Sequence, residues 1–516
     1  MSERRRKIEF GDFQTPFPLA EMVCARLLHS GIRPCTVIEP SCGEGSFLEA
    51  AARVFGTGAN YYGFDLNPEY IECAAKRLSA CQPAVTAELA TQDFFDFDWE
   101  TFLKDKEPPV LFLGNPPWAT NASLGALGAD NLPQKTNVKG LSGLNALTGK
   151  ANFDISEWML LKLAEAGGRR PFAIAMLCKT GVARKALEYY WKRDRAPHSS
   201  ALYRINAQEW FDAAVDACLF LAEFTPGQPT DKSAALYDAL ETETCLNRFG
   251  MVDGEMVSDI DGYRQLKHLS GVNYYRWRSG VKHDLARVME LEVVDGKLYN
   301  GFGAPVDLEA IHLYPLLKAT EVSKGITTPQ KYLLVTQTAV GQETAGLRDT
   351  APKTWQYLEQ YDELFAQRRS SIYHNQPKYC LFGIGAYTFA PYKIAISGLH
   401  KGARFTLIPP YEDKPVLLDD TCYFIGSSDG AEAYLLHELF DSDLTRCFLQ
   451  SMIFADSKRP VTADVLNRID VKKVAEQLGK AEALSDFLHG GNVESNGQGV
   501  LVFEKKSKYA GASRKR

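Results

Sequence analysis

Between Cys35 and Phe224, short runs of β-branched, apolar and aromatic residues alternate with stretches of helical periodicity, and no other feature restricts the chain as much. Strands separated by helices are joined by crossovers and run parallel, and a parallel sheet must be covered on both faces. The pattern predicts strands over 36–39, 61–65, 85–91, 110–113, 172–177, 201–205 and 217–223. Helices are predicted over 18–28, 47–54, 68–78, 155–166 and 183–191. Asn67-Pro68 marks the start of one of them, with Asn67 as N-cap and Pro68 at the first helical position, where the missing N–H costs nothing. Seven strands fit one doubly wound α/β sheet with helices on both faces.

In such a sheet ligands gather at the carboxyl ends of the strands, where this chain places its unusual residues. Val37-Ile38-Glu39-Pro40-Ser41-Cys42-Gly43-Glu44-Gly45-Ser46-Phe47 puts an acid at a strand end and two glycines in the turn entering a helix. Glycines let a backbone approach a ligand closely, and a helix N-terminus offers unpaired N–H groups. The second strand ends in Asp65, followed by Leu66, where a carboxylate can hold the ribose hydroxyls of an adenosyl cofactor. Thr91-Gln92-Asp93-Phe94 closes the third, with an acceptor for the adenine amine and a ring to stack on it. A dinucleotide fingerprint is not matched, since only Gly43 and Gly45 are present, which disfavours nicotinamide cofactors.

The fourth strand runs into Asn115-Pro116-Pro117-Trp118. Two prolines after an asparagine fix a rigid turn that projects the Asn115 side-chain oxygen and the Pro116 carbonyl into the crevice, two acceptors for one NH2 group. An aromatic amine is a poor nucleophile because its lone pair is delocalised, so acceptors placed for its transition-state geometry supply catalysis without a side-chain nucleophile. Trp118 offers a face for a base extruded from a duplex. The residues from 119 to 151, rich in Gly, Asn, Ser and Ala, make a connection too long to be ordinary and are expected to close over substrate.

Together these stretches resemble the class I methyltransferase motifs in the order of the gamma-class DNA adenine-N6 methyltransferases. Phe10-Gly11-Asp12-Phe13-Gln14-Thr15-Pro16 corresponds to the family's Phe/Thr-Pro motif and Asn115–Trp118 to its Asn-Pro-Pro-aromatic motif, with Trp in place of the usual Tyr or Phe. The resemblance implies an S-adenosylmethionine-dependent transfer to adenine N6 in double-stranded DNA, with no metal, on a seven-stranded class I sheet. It implies that Thr15 and Pro16 contact the cofactor's methionine portion, Glu39, Cys42, Gly43 and Gly45 line its pocket, Asp65 and Leu66 meet the ribose, Asp93 and Phe94 the adenine, and Asn115 the methyl-transfer site. Asn152-Phe153-Asp154 resembles the motif opening the helix after the catalytic loop, and Phe211 aligns with an aromatic that packs on the flipped base. The motifs are specific over residues 10–225 and looser beyond, in Trp277–Asp284, Pro391-Tyr392-Lys393 and Asp456–Pro460.

A length of 516 residues exceeds one core, and two domains are expected: a catalytic domain over 1–228, ending at the Thr-Pro-Gly-Gln-Pro-Thr linker, and a mixed α+β target-recognition domain over 229–516 with a basic tail. With 45% hydrophobic and 24% charged residues the composition is that of a globular chain. Eleven scattered cysteines without CxxC spacing argue against disulfides and a structural metal, and no window approaches a membrane span, so a cytoplasmic setting is expected. A net charge of −6 does not announce nucleic-acid binding, so phosphate contacts must come from local patches, with Arg276, Arg278, Lys282, Lys393, Lys458 and Arg459 as candidates. His283 beside Asp284 reads as structural. Methylation of RNA, of a protein glutamine or of cytosine N4 stays open as an alternative, as does a non-catalytic DNA-binding protein. Without an acidic pair followed by Glu-x-Lys, any cleavage is expected from a separate restriction endonuclease.

Overall fold

The computed structural model describes residues 14–81, 84–119, 154–193 and 195–488. Residues 120–151 of the expected substrate-covering stretch, Asn152, Phe153, Phe10–Phe13 and both basic ends lie outside the described residues. The first seven strands are β1 (Thr36–Glu39), β2 (Asn60–Asp65), β3 (Ala87–Thr91), β4 (Val110–Gly114), β5 (Phe172–Lys179), β6 (Ser199–Ile205) and β7 (Ala217–Phe224), each overlapping an expected strand. They lie in the order β6-β7-β5-β4-β1-β2-β3, with β1 to β5 parallel and β7 antiparallel to both β5 and β6.

The centre of the sheet is apolar on both faces. Every residue of β1 and β4 is buried, and alternation sends Val37, Leu111 and Leu113 to one core and Ile38, Val110 and Phe112 to the other. Helices α1 (Phe17–His29), α2 (Ser46–Phe55) and α3 (Pro68–Ser79) cover the first face. The second is covered by α4 (Trp99–Leu103), α5 (Ile155–Gly167) and α6 (Thr180–Lys192), with α7 (Ala207–Phe211) following β6. Asn67 caps α3 as expected, its side chain accepting from the Glu69 N–H at 3.0 Å ahead of Pro68.

The sheet does not stop at the expected domain boundary. β8 (Ser233–Tyr237) pairs parallel with β6, and β9 (Asn247–Val252) and β10 (Glu255–Val257) extend it to ten strands. The segment read as a linker is therefore a connection between β7 and β8 of one sheet. Sequence patterning marked the first seven strands by their alternation with helices; the three added strands follow one another without helices, so that signal is missing.

Beyond β10 lie two further sheets. A four-stranded antiparallel sheet runs Arg278–Ser279, Cys422–Ser427, Tyr392–Ser397, Phe405–Ile408, packed on helices Gly430–Phe440 and Asp443–Met452. A six-stranded sheet is built around Glu290–Val294, Lys331–Leu334 and Leu313–Leu317. The second half is joined to the first through Arg184 on α6. Its guanidinium pairs with Asp456, donates to Ser457 Oγ at 3.1 Å and lies 4.1 Å from the Phe454 ring centroid. His283 is structural, its Nδ1 accepting from the Leu285 N–H at 3.1 Å and its Nε2 lying 3.4 Å from buried Glu290.

Lys393, expected to meet phosphate, is fully buried on a central strand of the four-stranded sheet. Its ammonium donates to the Ala390 carbonyl at 2.7 Å, and among the described residues no carboxylate pairs with it, so it cannot reach DNA without dismantling the sheet. Burial of the cation brings its pKa down to about 7. The unfolded lysine titrates near about 10.4, so between these values the unfolded chain binds more protons and stability rises with pH. Lys393→Met is expected to abolish that rise and to stabilise the protein at pH 7 by roughly 1–3 kcal/mol, read from urea unfolding at pH 7 and pH 9. Equal or lower stability at pH 7 would show that the bond to Ala390 outweighs the cost of the buried charge.

Candidate active site

The site is assembled along the carboxyl edge of the sheet, where β3, β2, β1, β4 and β5 end side by side. The glycine turn after β1 fixes its centre. Gly43 and Gly45 have φ of 49° and 82°, in the left-handed region that glycine occupies without strain. A Cβ on Gly45 would stand 2.7 Å from the Ala74 Cβ on α3, so glycine is also what lets α2 and α3 approach here. The Gly43 N–H donates to Asp65 Oδ2 at 2.9 Å, and the Asn67 N–H donates to Oδ1 at 2.9 Å. One carboxylate thus ties the turn after β1 to the turn after β2. Leu66, 48% exposed, stands next to it at the crevice.

Glu39, Cys42 and Gly45 build this turn from beneath. Glu39 is 3% exposed, and its Oε2 accepts from the Leu48 N–H at 3.2 Å, bracing the first turn of α2. Burial pushes its carboxyl well above the usual carboxylate range, against the pull of the Leu48 bond, and the nearby Asp65 charge pushes the same way. The Cys42 N–H donates to the Phe64 carbonyl at 2.8 Å, and its buried thiol is pushed far up. Pro16 sits at the N-cap of α1, beside Thr15. Gln14, which sequence reasoning passed over, reaches the turn: its Oε1 accepts from the Glu44 N–H at 3.1 Å and lies 2.4 Å from where a Gly43 Cβ would be. Its signal was its place directly ahead of Thr15-Pro16.

At the end of β3 lie the two expected adenine contacts. Asp93 is half-buried, with Oδ1 accepting from the Phe95 N–H at 2.7 Å. Phe94 is a core residue: 7% exposed, with its ring 5.1 Å from Phe95 and 5.3 Å from Trp99. The ring belongs to the aromatic cluster of the second core, as the equally buried Trp118 indole belongs to the first.

Asn115–Trp118 leaves β4 beside the glycine turn, with Asn115 and Pro117 half-buried and Pro116 and Trp118 buried. The Trp118 indole N–H donates to the Leu177 carbonyl of β5 at 3.2 Å, and its ring meets Phe211 edge to face at 5.1 Å. The structure therefore brings the expected pair of aromatics together, Phe211 supplied by α7 and Trp118 by the turn. The Trp118 carbonyl accepts from Lys179 Nζ at 2.8 Å, and the same ammonium donates to Asp154 Oδ2 at 2.7 Å. Lys179 was also missed; it is the charge that ends the otherwise buried apolar run of β5.

A cleft of about 1050 Å³ lies between the sheet edge at Thr180, Asn206 and Asp216 and the second half at Gln265, Lys401 and Gln450; Asn115–Trp118 are not among its lining residues. The remaining basic candidates cluster elsewhere in the second half. Lys282 bonds Asp284 at 2.7 Å and lies 3.7 Å from Asp420, to which Arg459 also pairs at 3.3 Å. Arg278 lies 4.8 Å over the Tyr387 ring, while Arg276 and Lys458 are exposed. Among the described residues no group of His, Cys, Asp and Glu forms a metal-binding cluster, and no helix is long and apolar enough to cross a membrane.

No protein-family model matches the chain. The type II methyltransferase M.BanIII of Aneurinibacillus aneurinilyticus is 30% identical over 151 residues, 26% of either chain. The type IIL restriction-modification enzyme MmeI, solved in complex with DNA, superposes on 87% of this chain with a TM-score of 0.54 at 12% identity. This chain spans 64% of the MmeI chain, and a likeness at that identity speaks for the fold alone. With the strand order above, the fold is that of class I methyltransferases with additional sheets. The type II methyltransferase M.NspV of Nostoc sp. is 39% identical over 474 residues, covering 92% of this chain and 98% of the relative, and on that kinship the chain belongs to the type II methyltransferases.

Proposed function

We propose that the chain methylates the exocyclic N6 amine of adenine in a specific duplex DNA sequence, using S-adenosylmethionine, as the modification arm of a restriction-modification system whose nuclease is a separate protein. One observation carries the reading: Asn115-Pro116-Pro117-Trp118 leaves β4 directly beside the glycine turn of β1, with Phe211 against the indole. The kinship to a type II methyltransferase and the fold shared with an enzyme solved on DNA support it.

The residues present suit an adenosyl cofactor. The left-handed glycines bring bare backbone to the crevice, Asp65 offers a half-buried carboxylate at the end of β2, and Leu66 an exposed apolar face beside it. Thr15, Pro16 and the turn from Cys42 to Gly45 would hold one end, and Asp93 the other. When bound, the cofactor supplies an electrophilic methyl group on a sulfonium centre.

This chain's part is to bind, orient and exclude water. Asn115 Oδ1 and the Pro116 carbonyl would accept the two amine protons, drawing the nitrogen towards tetrahedral geometry so that its lone pair faces the methyl carbon. Held by these two acceptors, the amine would stay oriented for the transfer, and its surplus proton would pass to water afterwards. Trp118 would support the extruded base, and Phe211 its edge. The residues after β10 would supply target recognition. Arg276, Arg278, Lys282, Lys458 and Arg459 would be its phosphate contacts; of these Arg276 and Lys458 are exposed, while Lys282 and Arg459 would exchange Asp420 for phosphate.

Nucleotide analysis of duplex DNA incubated with methyl-labelled S-adenosylmethionine is expected to give N6-methyladenine. In the same assay Asn115→Ala should fall by at least about 100-fold, the usual cost of losing one transition-state acceptor. Label on cytosine N4 would move the assignment to that base, and label in RNA or protein but not DNA would overturn it. Asp65→Asn is expected to weaken S-adenosylmethionine binding by roughly 10- to 100-fold in equilibrium dialysis, from the lost charge-assisted bonds. Unchanged affinity would place the ribose elsewhere.

A further inference from the structure

The turn that carries Asn115 is fixed at its start by β4 and in its middle by two prolines whose φ angles are set by their rings. Its far end at Trp118 is gripped twice by β5. The Leu177 carbonyl accepts from the indole N–H at 3.2 Å, and Lys179 Nζ donates to the Trp118 carbonyl at 2.8 Å. The first contact sets the ring and the second the peptide plane. Lys179 is itself held, donating to Asp154 Oδ2 at 2.7 Å, and Asp154 is anchored at the head of α5 by accepting the Ser156 N–H at 3.3 Å. One residue further along each strand of this junction, the Ile155 N–H donates to the Ala119 carbonyl at 2.9 Å.

We propose that Lys179 and Asp154 are positioning residues for methyl transfer, a charge-balanced clasp that holds the Trp118 carbonyl and through it the geometry of the Asn115-Pro116 acceptors. The inference deepens the reading of the same site given above and rests on it. The sign of the charges is part of the argument. The accepting amine becomes positive as it is methylated, so an unbalanced ammonium close to the turn would oppose the reaction. Asp154, whose side chain is 7% exposed, cancels that charge where solvent screens little, and leaves Lys179 acting as a hydrogen-bond donor of fixed direction. A neutral donor could not span both the carbonyl and the head of α5; the long lysine stem with several N–H groups does.

Steady-state kinetics on duplex DNA tests this. Lys179→Met is expected to lower kcat by roughly 100-fold, the scale of a small misplacement of a reacting group, while KM for S-adenosylmethionine stays within about twofold. Lys179→Arg should recover part of the loss. Lys179→Met combined with Asp154→Asn should lose no more than Lys179→Met alone, because both changes break one unit. An unchanged kcat in Lys179→Met, or losses that multiply in the double variant, would overturn the proposal. A second measurement does not need activity: the emission of Trp118, taken as the wild type minus Trp118→Phe difference, should shift to the red when Lys179 is replaced by Met. If the wild type puts no label into DNA, the reading under Proposed function fails. The difference spectrum then still decides the clasp, an unshifted spectrum overturning it and a red shift upholding it.

Discussion

Burial of the central strands on both faces is the constraint from which the rest follows. β1 and β4 have no solvent side, so their middle residues are apolar and the polar side chains of β1, Thr36 and Glu39, stand at its two ends. The acids and amides of this chain gather at one edge because the interior excludes them. Glu39 marks the limit of that rule: it lies just inside the boundary, keeps one backbone N–H as partner, and is driven towards its neutral form.

From that edge inward, the site is held by bonds between neighbouring strand ends more than by long-range contacts. Asp65 joins the turns after β1 and β2, the Gln92 N–H donates to the Asp65 carbonyl at 2.9 Å to join β2 with β3, and Trp118 is fixed to β5. The sheet register therefore fixes the crevice, with Glu39 opposite Gly63 and Asp65 opposite Thr91. Charge is treated in the same local way. Lys179 is balanced by Asp154, Arg184 by Asp456, and Lys282 and Arg459 share Asp420, so the bare net charge says little about where a polyanion could dock.

The sequence disclosed what depends on periodicity and on local backbone chemistry. The seven strands, the Asn67-Pro68 helix start and the glycine and proline turns were all legible, because each is encoded within a few neighbouring residues. What could not be read depends on which residues meet across the fold. Gln14 touches the glycine turn across 30 positions of sequence, and Lys179 reaches Trp118 across 61. Lys393 was misassigned for the same reason: it stands in a suggestive motif, but a sheet interior encloses it. The three strands that extend the sheet after Phe224 escaped because they follow one another without intervening helices.

The three added strands bear on how this kind of enzyme can be divided. β8 takes the open side of β6, and its neighbour β9 contributes Phe249, whose ring meets Trp191 of α6 on one side and Phe454 of the second half on the other. A cut at residue 228 would bare the backbone of β6 as a new sheet margin and remove part of the second core, a ready template for unwanted strand pairing. Recombination between relatives, natural or engineered, would keep the ten-stranded sheet whole only if the crossover fell after Val257. Beyond the sheet's last strand, Ser258 hands the chain to a helix by donating its N–H to the Ser451 carbonyl at 2.9 Å, so the structural seam falls there and not at the proline-rich connection.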